Sequence, residues 1–209
     1  MICIIDYEAG NLRSVQKALE KCGADARITS DPRDLLNADK VVFPGVGAFG
    51  QAMKAVERFG FVEPIRQFVD SGKPFLGICL GLQLMFESSE ESPGVPGLSL
   101  FRGHVKRLAP DLKAPHLGWN EVRQVASSPL WHGVADGGYF YFAHTFYIQP
   151  TEKKIIVGET DYGGRVPVAV QNGNVFGLQF HPEKSQALGL KIVENFVNLE
   201  DRNAYTTGN

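Results

Sequence analysis

The chain is poor in cysteine, with 3 among 209 residues, at Cys3, Cys22 and Cys79. An odd and scattered set argues against a disulfide framework and against a zinc site. Free thiols fit a reducing compartment. Charge of one sign is scarce too. The formal net charge is -2, so nothing favours nucleic acid or an anionic membrane surface. No apolar run approaches the roughly 20 residues needed to span a bilayer. The opening MICII is too short for a signal-peptide core and lacks a basic flank. No repeat and no linker composition interrupts the chain. The expectation is a cytoplasmic protein that takes no nucleic acid, membrane, metal or cofactor. It is read as a single domain over residues 1–200. The polar tail DRNAYTTGN, residues 201–209, is expected to fray.

What is present is ordinary for a globular protein: 44% hydrophobic and 21% charged residues. The length allows one sizeable core. In the first half, strand and helix patterns alternate. ICIID reads as a buried strand, and NLRSVQKALEKCG as a helix with apolar residues at helical spacing. DARITS is a second strand. DPRDLLN carries Asp31 at N-cap and Pro32 at N1, which predicts a helix from Pro32. KVVFPGVG is a third strand running into a glycine loop. AFGQAMKAVERFG and FVEPIRQFVDSG are helical, KPFLGI is a fourth strand, and LGLQLMFES is a helix. Four β-then-α units predict a mostly parallel, doubly wound α/β sheet covered on both faces. In the second half GHVKRLA, NEVRQV, GYFYFAHTFYI, KIIVGETD, RVPVAVQNG and NVFGLQF are strand-like, with Gly137-Gly138 and Asn172-Gly173 as turns. They predict additional antiparallel strands. A last helix is expected over about 185–199, with Leu188, Ile192 and Phe196 on one face.

Within PFLGICLGLQ, Cys79 lies between Gly77 and Gly81 at a strand-to-helix junction. Ligands of doubly wound sheets bind beyond the carboxyl ends of the strands. A nucleophile on such a turn needs small neighbours two residues away on each side, the G-x-S-x-G logic written here with cysteine. A helix N-terminus behind it favours thiolate. A packed core cysteine with incidental glycines is the equal competitor on this pentapeptide alone. Cys3 and Cys22 read as structural.

A thiolate nucleophile needs a base, and the base an orienter. Of five histidines, His181 in GLQFHPEKS stands out. It closes an apolar strand and precedes Pro182, which disfavours helix. In an extended chain residues i and i+2 point the same way, so Glu183 can fix the ring. A lone histidine is more often a surface or core residue; a strand-end His-Pro-Glu in a chain with a cysteine elbow reverses that. Finally, PGVGAFG at the end of the third strand offers inward-facing peptides as oxyanion donors. An ordinary turn is the bland alternative.

PGVGAFG, GICLGLQLMFESSEE, GWN and FHPEKS, in this order, resemble a class I (triad) glutamine amidotransferase. The opening DYEAGNLRSV, with SPGVPGLSLFRGHV and PHLGWN, is more closely similar to the glutaminase-subunit branch of imidazole glycerol phosphate synthases, in histidine biosynthesis. The resemblance covers about residues 1–200. It implies that Cys79 attacks the carboxamide of L-glutamine, that His181 moves the proton, and that Glu183 orients His181. It implies oxyanion donors at Leu80 and at Val46–Gly47. It places the substrate's amino-acid end against Gly47, Gln83, Thr145 and Phe146. It implies a (β/α)8-barrel cyclase subunit as heterodimer partner. That partner is expected over the active-site rim, at Trp119 in a glycine-containing loop, Tyr141 and Lys184, aromatics being favoured interface anchors.

Two positions depart from the family pattern. Glu8 stands where the family has glycine, and a positive φ there would strain it. Phe146 stands where the family favours tyrosine. Three other readings remain open: a glutaminase of the same superfamily serving another pathway, a non-enzymatic module with a vestigial elbow, and a cysteine peptidase or DJ-1-like protein on a similar sheet.

Overall fold

The computed structural model describes residues 1–8 and 10–199; the expected tail, 201–209, lies outside them. The strands and helices, in chain order, are β1 (Ile2–Ile5), α1 (Leu12–Lys21), β2 (Ala26–Thr29), α2 (Asp34–Asn37), β3 (Lys40–Gly45), α3 (Phe49–Arg58), α4 (Val62–Asp70), β4 (Phe75–Cys79), α5 (Leu80–Leu84), β5 (Ser88–Ser89), β6 (Gly103–Arg107), β7 (His116–Gln124), β8 (Gly138–His144), β9 (Phe146–Pro150), β10 (Ile156–Asp161), β11 (Arg165–Asn172), β12 (Val175–Leu178) and α6 (Gln186–Val197).

Nine strands form one sheet in the order β2-β1-β3-β4-β12-β11-β10-β7-β8. From β2 to β12 every pairing is parallel, and from β12 to β8 every pairing is antiparallel. The α/β expectation therefore holds, with antiparallel strands from the second half. Strand alternation sorts the first half into two layers. Ile2 and Ile4 join a core with Val15 and Leu19 of α1 and Ile192 and Phe196 of α6. Cys3 and Ile5 join one with Leu35, Met53, Val56, Ile65 and Phe68 of α2, α3 and α4. Parallel strands buried on both faces are apolar throughout, which is why β1, β3 and β4 read as continuous runs.

Four local expectations need correction. The second helix begins at Asp34 rather than Pro32. Asp31 instead accepts from the Arg33 main-chain N–H at 2.9 Å and pairs with its guanidinium, closing a turn. The helix after Cys79 stops at Leu84. The main-chain N–H groups of Leu98, Leu100 and Phe101 take the carbonyls of Leu84 and Met85, which a continuing helix would need. PHLGWN is not a loop: residues 116–120 open β7 and pair with β8, Trp119 opposite Tyr141. GYFYFAHTFYI is not one strand. It breaks at Thr145 into β8 of the large sheet and β9 of a three-stranded sheet, β5-β6-β9. No helix among the described residues is long and apolar enough to cross a membrane.

Candidate active site

β4 and α5 meet at Cys79 with no intervening loop. Its φ of 54° and ψ of -110° lie where a non-glycine residue is strained. Both flanking glycines are required by close approach. A Cβ on Gly81 would overlap the Phe43 carbonyl oxygen of β3, and one on Gly77 would overlap Met85 Sδ and crowd the Leu82 backbone. The elbow is thus pressed against β3 on one side and its own helix on the other. The two glycines are therefore not incidental to the backbone path at Cys79.

His181 lies three residues past the end of β12. Its main-chain N–H donates to the Tyr141 carbonyl of β8 at 2.9 Å, and Ser185 Oγ donates to its carbonyl at 2.6 Å. His181 is extended, φ -98° and ψ 96°, as the following proline requires. Residues Pro182–Lys184 turn into a 3-10 helix instead of continuing extended. Glu183 therefore reaches the ring through a turn, not through strand alternation. Its Oε1 accepts from His181 Nδ1 at 2.8 Å. A carboxylate only accepts, so Nδ1 carries the proton and Nε2 is left without a partner of its own among the described residues, in a ring that is electrostatically coupled to Cys79.

Burial pulls the His181 imidazole down, but its interactions with Cys79 and Glu183 outweigh it. The net value is raised from 6.5 to about 10. The arrangement favours an imidazolium between a sulfur and a carboxylate. Asn11 is a contributor that sequence reasoning passed over. Its Nδ2 donates to the same Glu183 Oε1 at 2.8 Å, while Glu183 Oε2 is buried with no partner among the described residues. Asn11 sits left-handed (φ 71°) at the start of α1, a conformation asparagine tolerates.

A small cavity of about 190 Å³ opens beside the sulfur. Its lining includes Val46, Gly47, Leu80, Gln83, Thr145 and Phe146, so the residues expected at oxyanion and substrate positions come together there. Leu80 opens α5, so its N–H has no intrahelical partner. Gly47 has φ 106°, a value closed to side-chain-bearing residues. Gln83 is more constrained than expected. Its Nε2 donates to the Phe146 carbonyl at 2.8 Å and to Gln179 Oε1 at 3.1 Å, which uses both hydrogens. Only Oε1 remains for a ligand, as an acceptor. The cavity also includes Glu91, which sequence reasoning missed. One of its oxygens accepts from the Phe49 N–H at 2.7 Å. Acceptors of this kind in the lining of a small cavity suit an ammonium group.

The family of the chain follows from comparison with known proteins. The description "Glutamine amidotransferase class-I" matches residues 3–199. The chain belongs to the class I glutamine amidotransferase family. Within this family, a protein of Moorella thermoacetica named "Imidazole glycerol phosphate synthase subunit HisH" is 49% identical over 198 residues, covering 95% of this chain and 94% of its own. A protein of the same name from Methanothermobacter thermautotrophicus is 50% identical, covering 95% of this chain and 98% of its own. A solved glutamine amidotransferase superposes with a TM-score of 0.75 at 18% identity, over 95% of this chain and all of that one. The Thermotoga maritima PurLQS structure does so at 0.75 and 22%, over 94% of this chain and 97% of its matched chain. At those identities the structures share the amidotransferase fold.

The three residues expected at the partner surface are neighbours. Lys184 Nζ sits 5.6 Å above the centre of the Tyr141 ring, and Trp119 meets that ring edge-on at 6.2 Å. Alternation along β7 and β8 turns Phe140 and Phe142 inward and leaves Leu117, Trp119 and Tyr139 64%, 46% and 57% exposed.

Proposed function

We propose that the chain is the glutaminase subunit of an imidazole glycerol phosphate synthase, organised as a single domain over residues 1–200. It hydrolyses L-glutamine and delivers ammonia to a (β/α)8-barrel cyclase subunit in a heterodimer. The observation that carries the chemistry is the His181 ring. It is bonded at Nδ1 by Glu183 and coupled in charge to a strained Cys79, whose sulfur borders a cavity that fits one amino acid.

In this reading the Cys79 thiolate attacks the carboxamide carbon, and the carbonyl π electrons move onto oxygen. Backbone N–H groups of Leu80 and the Val46–Gly47 segment stabilise that oxyanion. Collapse breaks the C–N bond, and the His181 imidazolium gives its proton to the departing nitrogen, releasing ammonia. The neutral imidazole then takes a proton from water, which attacks the thioester carbonyl and frees glutamate and Cys79. Glu183 keeps Nδ1 protonated throughout and Asn11 steadies Glu183. Gln83 Oε1 and Glu91 take the α-ammonium, and the Thr145–Phe146 segment takes the carboxylate. The relatives' name supports the pathway, and the exposed aromatic patch beside Lys184 supports a partner over the rim.

The test is Cys79→Ala in complex with the cyclase subunit. Glutamine-dependent turnover should vanish while ammonium-dependent turnover persists. A complex equally dead with ammonium salt would overturn the division of labour.

A further inference from the structure

Gln179 is fully buried, two residues before His181, and the reaction as derived leaves it without a role. Its amide orientation is dictated by its neighbours. The Phe146 carbonyl can only accept, so the side-chain group of Gln83 facing it, at 2.8 Å, is the nitrogen. The second hydrogen of that nitrogen goes to Gln179 at 3.1 Å, so Gln179 presents Oε1 to Gln83. Its Nε2 therefore points the other way, and lies 3.8 Å from Cys79 Sγ. A backbone carbonyl thus sets, through two buried amides, a donor on the reacting sulfur.

We propose that Gln179 is a further catalytic residue, a neutral donor that holds the Cys79 sulfur as thiolate and aims it at the substrate carbon. His181 cannot do this alone through the cycle, because it surrenders its proton when ammonia leaves. Gln179 has no proton to lose and keeps its geometry. When the thioester forms, the sulfur becomes a poor acceptor and the bond weakens. When the thioester is hydrolysed, the donor is in place to receive the thiolate. The same amide pair ties the sulfur's position to Phe146, a residue of the substrate cavity.

The proposal rests on Cys79 being the nucleophile, and the test separates the two. Iodoacetamide labels a thiolate by forming an S–C bond and expelling iodide, with no need for a working glutaminase. Labelling of Cys79 is followed by peptide mass spectrometry from pH 5 to 9 in wild type, Gln179→Met and Gln179→Glu. Burial raises the Cys3 thiol to about 11 and pushes Cys22 upward, so both serve as slow internal references. Methionine matches the shape without a donor; glutamate keeps the acceptor that Gln83 needs and replaces the donor with a carboxylate. Both variants should move the pH midpoint of Cys79 labelling upward, by about one to two units for a lost bond to a charged acceptor. Both should also lower kcat by about threefold to tenfold, and thermal melts identify the variant that keeps the fold. An unchanged midpoint in a folded variant overturns the role of Gln179. Wild-type Cys79 that labels no faster than Cys22 overturns the nucleophile assignment itself.

Discussion

Single residues decide whether the elbow can form. A Gly81→Ala substitution forces a Cβ into the Phe43 carbonyl, and rigid backbone on both sides leaves little room to relax. Overpacking of this kind costs about 1–3 kcal/mol, so a lower unfolding midpoint and lost glutaminase activity are expected together. Retained stability with lost activity would mean the glycine acts only on the sulfur's position. Glu8 is the residue-scale oddity. Its φ is 69°, so it is strained as the departure from glycine implied, and its carboxylate pairs with Arg58 at the surface. An exposed pair contributes about 0–1 kcal/mol, and a side chain in this conformation costs about 1–2. Glu8→Gly should therefore raise the melting temperature slightly. Glu8→Ala keeps the strain, loses the pair, and should lower it. Identical melting of both variants would show the strain to be negligible.

At the scale of elements, β7 and β8 set His116 directly opposite His144. The Phe146 carbonyl accepts from His144 Nδ1 at 2.9 Å, so His144 Nε2 accepts from His116 Nδ1 at 3.1 Å. Both rings are neutral and hydrogen-bonded in series. Burial lowers His116 to about 4, and burial with the neighbouring His116 lowers His144 to about 3. A histidine that stays neutral when folded costs nothing above its ordinary 6.5. Below that, the unfolded chain binds protons that the fold excludes, so stability falls as pH drops from about 6.5 toward 4. His181 has the opposite sign: its raised value stabilises the fold at neutral pH, and that contribution is lost as pH climbs through about 10. Denaturant titrations of wild type and His116→Gln across pH 4–7 should show a shallower acid loss in the variant. Parallel curves would mean the pair does not titrate on unfolding. The loop after β3 is the other element of interest. Gly47→Ala has no clash to meet but cannot hold φ 106° easily. Losing one oxyanion donor costs about 10²–10³ in kcat, and a drop of that order with little change in KM is expected.

For the whole molecule the question is what the surface at exposed Trp119 and Lys184 and half-buried Tyr141 does. A glutaminase running alone would waste glutamine. In the proposed mechanism a peptide flip near Gly47 would switch an oxyanion donor without moving Cys79 or His181. Partner and nucleotide need supply only a few kcal/mol to favour the active arrangement, near the usual range of allosteric coupling. The isolated chain should hydrolyse glutamine slowly, and the cyclase subunit with its nucleotide should raise kcat far more than it lowers KM. Full kcat in the isolated chain would remove the switch. Lys184→Glu should weaken the complex or its activation, since Lys184 follows Glu183 directly and already leans on Tyr141. Unchanged affinity and unchanged activation would take it out of the interface.

The order of strands and helices in the first half, the tight turn at Cys79 and the pairing of His181 with Glu183 were legible in the residues, although a 3-10 turn rather than strand alternation closes that pair. A strand buried on both faces must be apolar, and a side chain on a tight turn must have glycines around it. Helix ends were less legible: α5 stops at Leu84 because distant residues 98–101 claim its carbonyls. The break of one apolar run at Thr145 into two sheets, and the placement of Trp119 on a strand, depend on pairings no local spacing encodes. Asn11, Glu91 and Gln179 were invisible as site residues for the same reason. Their neighbours in the site, Glu183, Phe49 and Cys79, lie 172, 42 and 100 residues away. The sequence by itself determined which chemistry the chain carries, since side-chain type and turn geometry are local. Only the tertiary structure decided which donors and acceptors serve that chemistry, since a buried polar group takes whatever partner the packed fold brings within reach.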